Sequence, residues 1–137
     1  MKKVNCILLI DDNPFDNHFH EIIIKEAGSC NHLQVANDGQ SALDYIIKSG
    51  ELNHSVSFPK PDIIYLDINM PGMNGFDFLE EYKKLDEKLK SKIVIVMLST
   101  SLNPDDEIKA TTYAEVKEFQ NKPLTVEILH ETVVKYF

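Results

Sequence analysis

The chain has 137 residues, 43% apolar and 26% charged: enough to bury one hydrophobic core, with a composition that argues for a globular protein against disordered and membrane-bound classes. Its 22 acidic and 14 basic side chains give a formal net charge of -8, which opposes direct binding to nucleic acid or to an anionic membrane and favours protein or cation partners. No stretch approaches the roughly 20 apolar residues that span a bilayer, so no membrane insertion is expected. The apolar run behind Met1-Lys2-Lys3 reaches only from Cys6 to Ile10 before two aspartates stop it, too short for a signal peptide. A cytoplasmic location follows as the expectation, with Cys6 and Cys30, which lack CxxC spacing, as two reduced thiols.

In chain order, residues 6–10 form an almost continuously apolar run and predict a first strand. Asn13 ahead of Pro14 reads as an N-cap and first-turn proline, and Phe15, Phe19, Ile22 and Ile23 then recur at helical spacing toward Gly28. Residues 32–36 alternate in character and predict a peripheral strand, followed by a helix over 41–48 carrying Leu43, Ile46 and Ile47. The stretch 50–61, with Pro59 and Pro61, is longer than usual for such a connection and reads as a surface insertion, with a partner-contact loop as the alternative. A β-branched apolar strand over 63–66 precedes a helix over 76–85 with Phe78, Leu79 and Tyr82 on one face. Another apolar strand is expected over 93–98, and Asn103-Pro104 opens a fourth helix by the same cap logic. A second peripheral strand over 116–119 leads to a last helix opened by Thr125 and carrying Val126, Leu129, Val133 and Phe137. The order is (βα) five times, which predicts an α/β fold with a doubly wound parallel sheet.

Ligands in such sheets bind beyond the carboxyl ends of the strands, near the topological switch point. The first strand ends in Asp11-Asp12, the third in Asp67 and the fourth in Ser99-Thr100-Ser101, and Lys122-Pro123 follows the fifth. Carboxylates, hydroxyls and an amine therefore meet on one rim. Three crowded carboxylates repel one another and hold protons more tightly unless a cation neutralises them. Mg²⁺ suits such a site because it prefers oxygen, needs few protein ligands and keeps several waters.

The run Leu66-Asp67-Ile68-Asn69-Met70-Pro71-Gly72-Met73-Asn74-Gly75 resembles the phosphoacceptor loop of the receiver domains of two-component response regulators, including the stand-alone chemotaxis type. Ile10-Asp11-Asp12-Asn13 resembles that family's acidic pair, and with the hydroxyls and Lys122-Pro123 the resemblance spans residues 4–137. It implies a flavodoxin-like (βα)5 sandwich with strand order 2-1-3-4-5, and a single receiver domain over residues 1–137 with no output domain. It also implies a switch in a phosphorelay rather than a conventional enzyme. Asp67 would take a phosphoryl group from a sensor histidine kinase or a histidine phosphotransfer protein, giving an acyl phosphate. Asp12 and Asp67 would bind Mg²⁺, or Mn²⁺ as a substitute, through carboxylates and Asn69 through its backbone carbonyl, while Asp11 would hold a metal-bound water or share the ion. Lys122 would pair with Asp67 and then with the phosphoryl oxygens.

In the family the bond before the proline matching Pro123 is cis. The family's phosphate-binding hydroxyl falls on Ser99 or Thr100; Ser99 is preferred because it directly follows the apolar strand, which makes Thr100 a departure from the usual small residue, one that narrows access to Asp67. Phe119 matches the switch aromatic, with a plain core phenylalanine as the other reading. Asn69 and Ser101 hold positions that control access of water. The phosphorylated state would dock an unknown protein target through the fourth helix, the fifth strand and the last helix.

Two other functions compete with this one. A receiver-like binding module would keep the fold without using phosphate. A Mg²⁺-dependent phosphatase of the haloacid dehalogenase type would place Asp-x-Asp after the first strand, whereas here the nucleophile candidate follows the third. Asp11, Asn13 and Asp16 faintly resemble a calcium loop, against which stand Pro14 and the missing glycine at the sixth position. His18 and His20 lie two apart, on different helix faces, which argues against a shared metal. Asn53-His54-Ser55 is a glycosylation sequon without meaning in a cytosolic chain.

Overall fold

The three continuous apolar runs become the middle of a parallel sheet, because a strand covered by helices on both faces must be apolar at every position. In the computed structural model, which describes residues 2–52, 56–100 and 103–137, the elements run β1 (Val4–Ile10), α1 (Pro14–Ala27), β2 (Cys30–Ala36), α2 (Gly39–Glu51), β3 (Ile63–Asp67), α3 (Gly75–Lys83), α4 (Glu87–Lys90), β4 (Val94–Ser99), α5 (Pro104–Thr111), β5 (Val116–Asn121) and α6 (Val126–Tyr136). The sequon at 53–55 and Ser101 lie outside the described residues. The five strands pair in parallel in the order β2-β1-β3-β4-β5, the expected 2-1-3-4-5 sheet. Every residue of β3 and β4 is buried, while the edge strands β2 and β5 are mostly half-buried.

Side chains of successive strand residues point to opposite faces, and this alternation divides the interior into two cores. Leu8, Ile10, Ile64, Leu66, Ile95 and Met97 face a layer built on Ala42, Leu43, Ile46, Phe78 and Leu79 of α2 and α3. Ile7, Leu9, Ile63, Tyr65, Val96 and Leu98 face Ile24 and Ala27 of α1 and Leu129 and Val133 of α6. The helices start where their capping residues dictate. Asn13 accepts hydrogen bonds from the backbone N–H of Phe15 and Asp16, Pro14 occupies the first turn, and Gly28 closes α1 at φ 63°.

Two expectations change. The α3 helix ends at Lys83, and a four-residue helix, α4, intervenes before β4; one turn buries no residue and leaves no periodicity to read. The 50–61 connection is a surface insertion only in part: among its described residues Val56 and Ser57 are exposed, whereas Pro59 and Pro61 are buried and the Pro59 carbonyl accepts a 2.7 Å hydrogen bond from the Tyr45 hydroxyl. Cys6 and Cys30 are free thiols.

The start of α3 lies hard against the end of β3. A Cβ added to Gly75 would sit 2.6 Å from the Asp67 carbonyl oxygen and 2.9 Å from Ile68 Cα, both backbone atoms. Gly75→Ala is therefore expected to destabilise the chain by about 2–3 kcal/mol, the cost of overpacking a rigid contact. Urea unfolding measures it, and a midpoint unchanged from the parent would show that the loop after β3 yields freely.

Candidate functional site

Because the chain leaves β1 toward β2 on one side and returns to β3 on the other, the carboxyl ends of β1 and β3 border a crevice at the switch point. Asp11 and Asp12 follow β1 directly and Asp67 is the last residue of β3. One carboxylate oxygen from each of Asp11, Asp12 and Asp67 lies within 4.8 Å of the others. Asp11 and Asp67 are 1% and 5% exposed, whereas Asp12 is exposed. Asp11 is held by its backbone N–H on the Ala36 carbonyl and by Asn17, whose side-chain amide donates to the Asp11 carbonyl at 2.8 Å.

Lys122 reaches this cluster from the turn after β5. Its Nζ donates to Asp11 Oδ2 at 2.7 Å and to Asp16 Oδ2 at 3.0 Å, and lies 2.9 Å from Asp67 Oδ1. The Lys122-Pro123 bond is cis, and the Lys122 backbone N–H donates to the Ser99 carbonyl. The next N–H, that of the buried Leu124, donates to Nε2 of the buried His20 at 3.2 Å. An imidazole that accepts this bond is neutral, and burial, with Lys122 nearby, pushes its pKa below the usual histidine value.

One ammonium is thus shared among three carboxylates and neutralises each only in part. Burial raises the Asp67 carboxyl most; the hydrogen bond from Lys122 opposes that rise, and the charges of Asp11 and Asp12 add to it, leaving the group pushed up to about 6. Burial alone would weaken the hold of Lys122 on its proton, but its bonds to Asp11, Asp67 and Asp16 outweigh that and the net shift is upward. The lysine is a fixed cation and the excess charge is negative. An uncompensated cluster of carboxylate oxygens on a cleft is the donor set that a hard divalent cation takes, so the residues present fit one.

Asp11, Asp12, Asp16, Asp67, Asn69 and Lys122 all line one cleft of about 490 Å³. Asn69 and Thr100 are exposed on it. Ser99 is fully buried at the end of β4, in register with Asn121; among the described residues, the hydroxyl-bearing one that lines the cleft is Thr100. Phe119, beside Met97 in the sheet, is partly buried against the core shared with α2 and α3 and lies outside the cleft lining. Sequence reasoning missed Asp16 and His20 as neighbours of the lysine. It also missed the reciprocal cap at the start of α3, where Asn74 and Asp77 bond each other's backbone N–H; the Asn-x-x-Asp spacing at 74–77 could have revealed it.

Among the described residues no helix is long and apolar enough to cross a membrane. Residues 7–134 match the family model described as response regulator receiver domain. The chain is 31% identical over 131 residues to the chemotaxis protein CheY of Pseudomonas aeruginosa, covering 96% of this chain and 94% of that protein. It is 34% identical over 102 residues to the response regulator Rcp1 of Synechocystis sp., covering 74% of this chain and 66% of that one. A crystal structure of a two-component response regulator from Cytophaga hutchinsonii superposes with a TM-score of 0.82 at 32% identity, covering 98% of this chain and 99% of that one. An Mn²⁺-bound structure of Rcp1 superposes with a TM-score of 0.68 at 29% identity, covering 94% of this chain and 88% of that one. With the sheet order, the sequence match and the structural neighbours in agreement, the chain belongs to the response regulator receiver domains of two-component systems.

Proposed function

We propose that this chain is a phosphoacceptor switch in which Asp67 takes a phosphoryl group from a phosphohistidine on a sensor histidine kinase or a histidine phosphotransfer protein. The observation that carries the reading is the state of the Asp67 carboxyl: buried at the end of a central strand, 2.9 Å from Lys122, and still short of compensating positive charge. Mg²⁺, or Mn²⁺ as a substitute, would supply the missing charge; Asp12, Asp67 and the backbone carbonyl of Asn69 would hold it, with Asp11, whose carboxylate belongs to the same cluster, sharing it. The Mn²⁺ in the Rcp1 structure supports this choice of ion class. When bound, the cation offsets the charge of the donor phosphate and of the product.

An Asp67 carboxylate oxygen attacks phosphorus, the O–P bond forms as the N–P bond breaks, and the imidazole leaves with the electron pair and takes a proton from solvent. Lys122 keeps its charge throughout and passes from the Asp67 carboxylate to a phosphoryl oxygen, the electrostatic stabilisation on which phosphoryl transfer mostly depends. Ser99 supplies the hydroxyl that follows the phosphoryl group and Phe119 repacks with it. The new contacts bias α5, β5 and α6 toward a docking-competent arrangement only by their difference between the two states. The same reading places the chain in the cytoplasm.

Incubation with acetyl phosphate and Mg²⁺ tests the reading by intact mass. One phosphoryl group per chain, removed by hydroxylamine and absent in EDTA, is expected; a chain that never gains it is a binding module that keeps the fold without the chemistry.

The raised Asp67 carboxyl adds a pH dependence. Its pKa is about 6 in the folded chain against an ordinary 3.8, so the folded state holds a proton that the unfolded state has lost. This group's contribution to stability therefore falls as pH rises through that window. Cation binding must expel the same proton, so Mg²⁺ affinity is expected to fall about tenfold between about pH 7 and about pH 5. Calorimetric titration checks it; an affinity flat across that window would mean that Asp67 is not a ligand.

A further inference from the structure

We propose that Asp16 is a holding partner for Lys122, one that competes with an incoming phosphoryl group for the ammonium and so weakens the hold of the site on phosphoryl oxygens. The proposal rests on the phosphoacceptor reading of Asp67. An ammonium has three N–H donors, and three carboxylates, those of Asp11, Asp67 and Asp16, stand at 2.7, 2.9 and 3.0 Å from Lys122 Nζ. Asp11 and Asp16 accept hydrogen bonds from it and Asp67 stands at ion-pair distance, so a phosphoryl oxygen that takes over the contact of Asp67 still shares the ammonium with Asp11 and Asp16.

The competing partners are not held alike. Asp11 and Asp67 are buried and belong to the tight acidic cluster. The Asp16 side chain is 37% exposed and stands outside that cluster, on the first turn of α1. Released from the lysine, its carboxylate returns to water at small cost. The helix does not need the contact either, because Asn13 already caps the N–H groups of Phe15 and Asp16 and Pro14 fills the first turn. An ordinary surface ion pair would leave its lysine in solvent, yet the Lys122 side chain is only 8% exposed and aimed into the cleft. Asp16 therefore keeps the lysine engaged before the phosphoryl group arrives, and its negative charge opposes that arrival.

Beryllofluoride, which attaches to an aspartate oxygen as a phosphoryl analogue, makes the effect a binding measurement. In Mg²⁺, Asp16→Asn is expected to lower the Kd for beryllofluoride about threefold to tenfold, the effect of one removed charge at a partly exposed site. Asp16→Glu, which keeps the charge, should stay within about twofold of the parent. Affinity for Mg²⁺ alone should change less than about threefold, since Asp16 lies outside the cluster that holds the ion.

A folded Asp16→Asn that binds the analogue no tighter than the parent overturns the proposal. So does an Asp16→Glu that behaves like the asparagine variant, because charge is then not the cause. A large loss of Mg²⁺ affinity in Asp16→Asn overturns it too, by making Asp16 part of the cation site. A parent chain that takes up no beryllofluoride overturns the phosphoacceptor reading itself, an outcome separate from the other three.

Discussion

Asp67→Asn is expected to reduce acetyl phosphate labelling in Mg²⁺ to background while leaving the chain folded. The amide matches the carboxylate in shape but lacks the nucleophilic oxygen, and without that oxygen no acyl phosphate forms. The fold should tolerate the change because the charge removed is one that burial disfavours. Burial, with the charges of Asp11 and Asp12, pushes the Asp67 carboxyl up to about 6 in spite of Lys122, so its ionised form at neutral pH is held at a cost. Without divalent cation the variant should therefore be more stable than the parent at neutral pH, by on the order of 1 kcal/mol. Mg²⁺ should narrow or reverse the difference, since the parent regains the ligand that the variant has lost. Labelling at the parent's stoichiometry would assign the phosphoacceptor to another side chain.

Lys122→Met should separate the structural part of the lysine from its chemical part. The substitution keeps the apolar stem and leaves the buried Asp11 and Asp67 without their shared cation. Removing one partner of a buried ion pair costs about 3–5 kcal/mol, and urea unfolding in EDTA should show a loss of that order. Mg²⁺ should restore most of it, because the emptied cluster is a stronger cation site than the original. Labelling should nevertheless stay about a hundredfold slower than in the parent, because the divalent ion cannot stand where the ammonium meets the phosphoryl oxygens. Stability and labelling both recovered by Mg²⁺ would reduce Lys122 to a counter-charge.

These effects depend on how the remote parts of the chain meet, and that was legible only unevenly. The central strands could be read because burial on both faces keeps their run apolar up to the carboxyl end; β3 runs Ile63, Ile64, Tyr65, Leu66 before Asp67 ends it, and is buried throughout. The edges of elements were less clear. The β1 strand begins at Val4, β4 includes Ser99, and α2 starts at Gly39 behind the cap Asp38, because ladder bonds and caps extend an element beyond its apolar part. The four residues of α4 carried no pattern at all.

The contrast within the site is sharper. Asp11, Asp12 and Asp67 could be placed on one rim because each ends or follows a strand, and parallel strands of a doubly wound sheet end on the same side. Asp16 reads from sequence as an ordinary first-turn acid suited to a helix dipole. Only the packing of α1 beside the turn after β5 brings it to Lys122, 106 residues away. His20 is likewise a histidine on a helix until the fold carries Leu124, 104 residues on, to its Nε2.

What the amino-acid sequence determined alone is therefore the parallel sheet and the acidic rim, since hydrophobic period and chain order constrain these locally, while the order of the strands came with the family resemblance. What only the tertiary structure decided is which charges share the one ammonium, because that depends on distances of a few ångströms between segments with no neighbours in common along the chain.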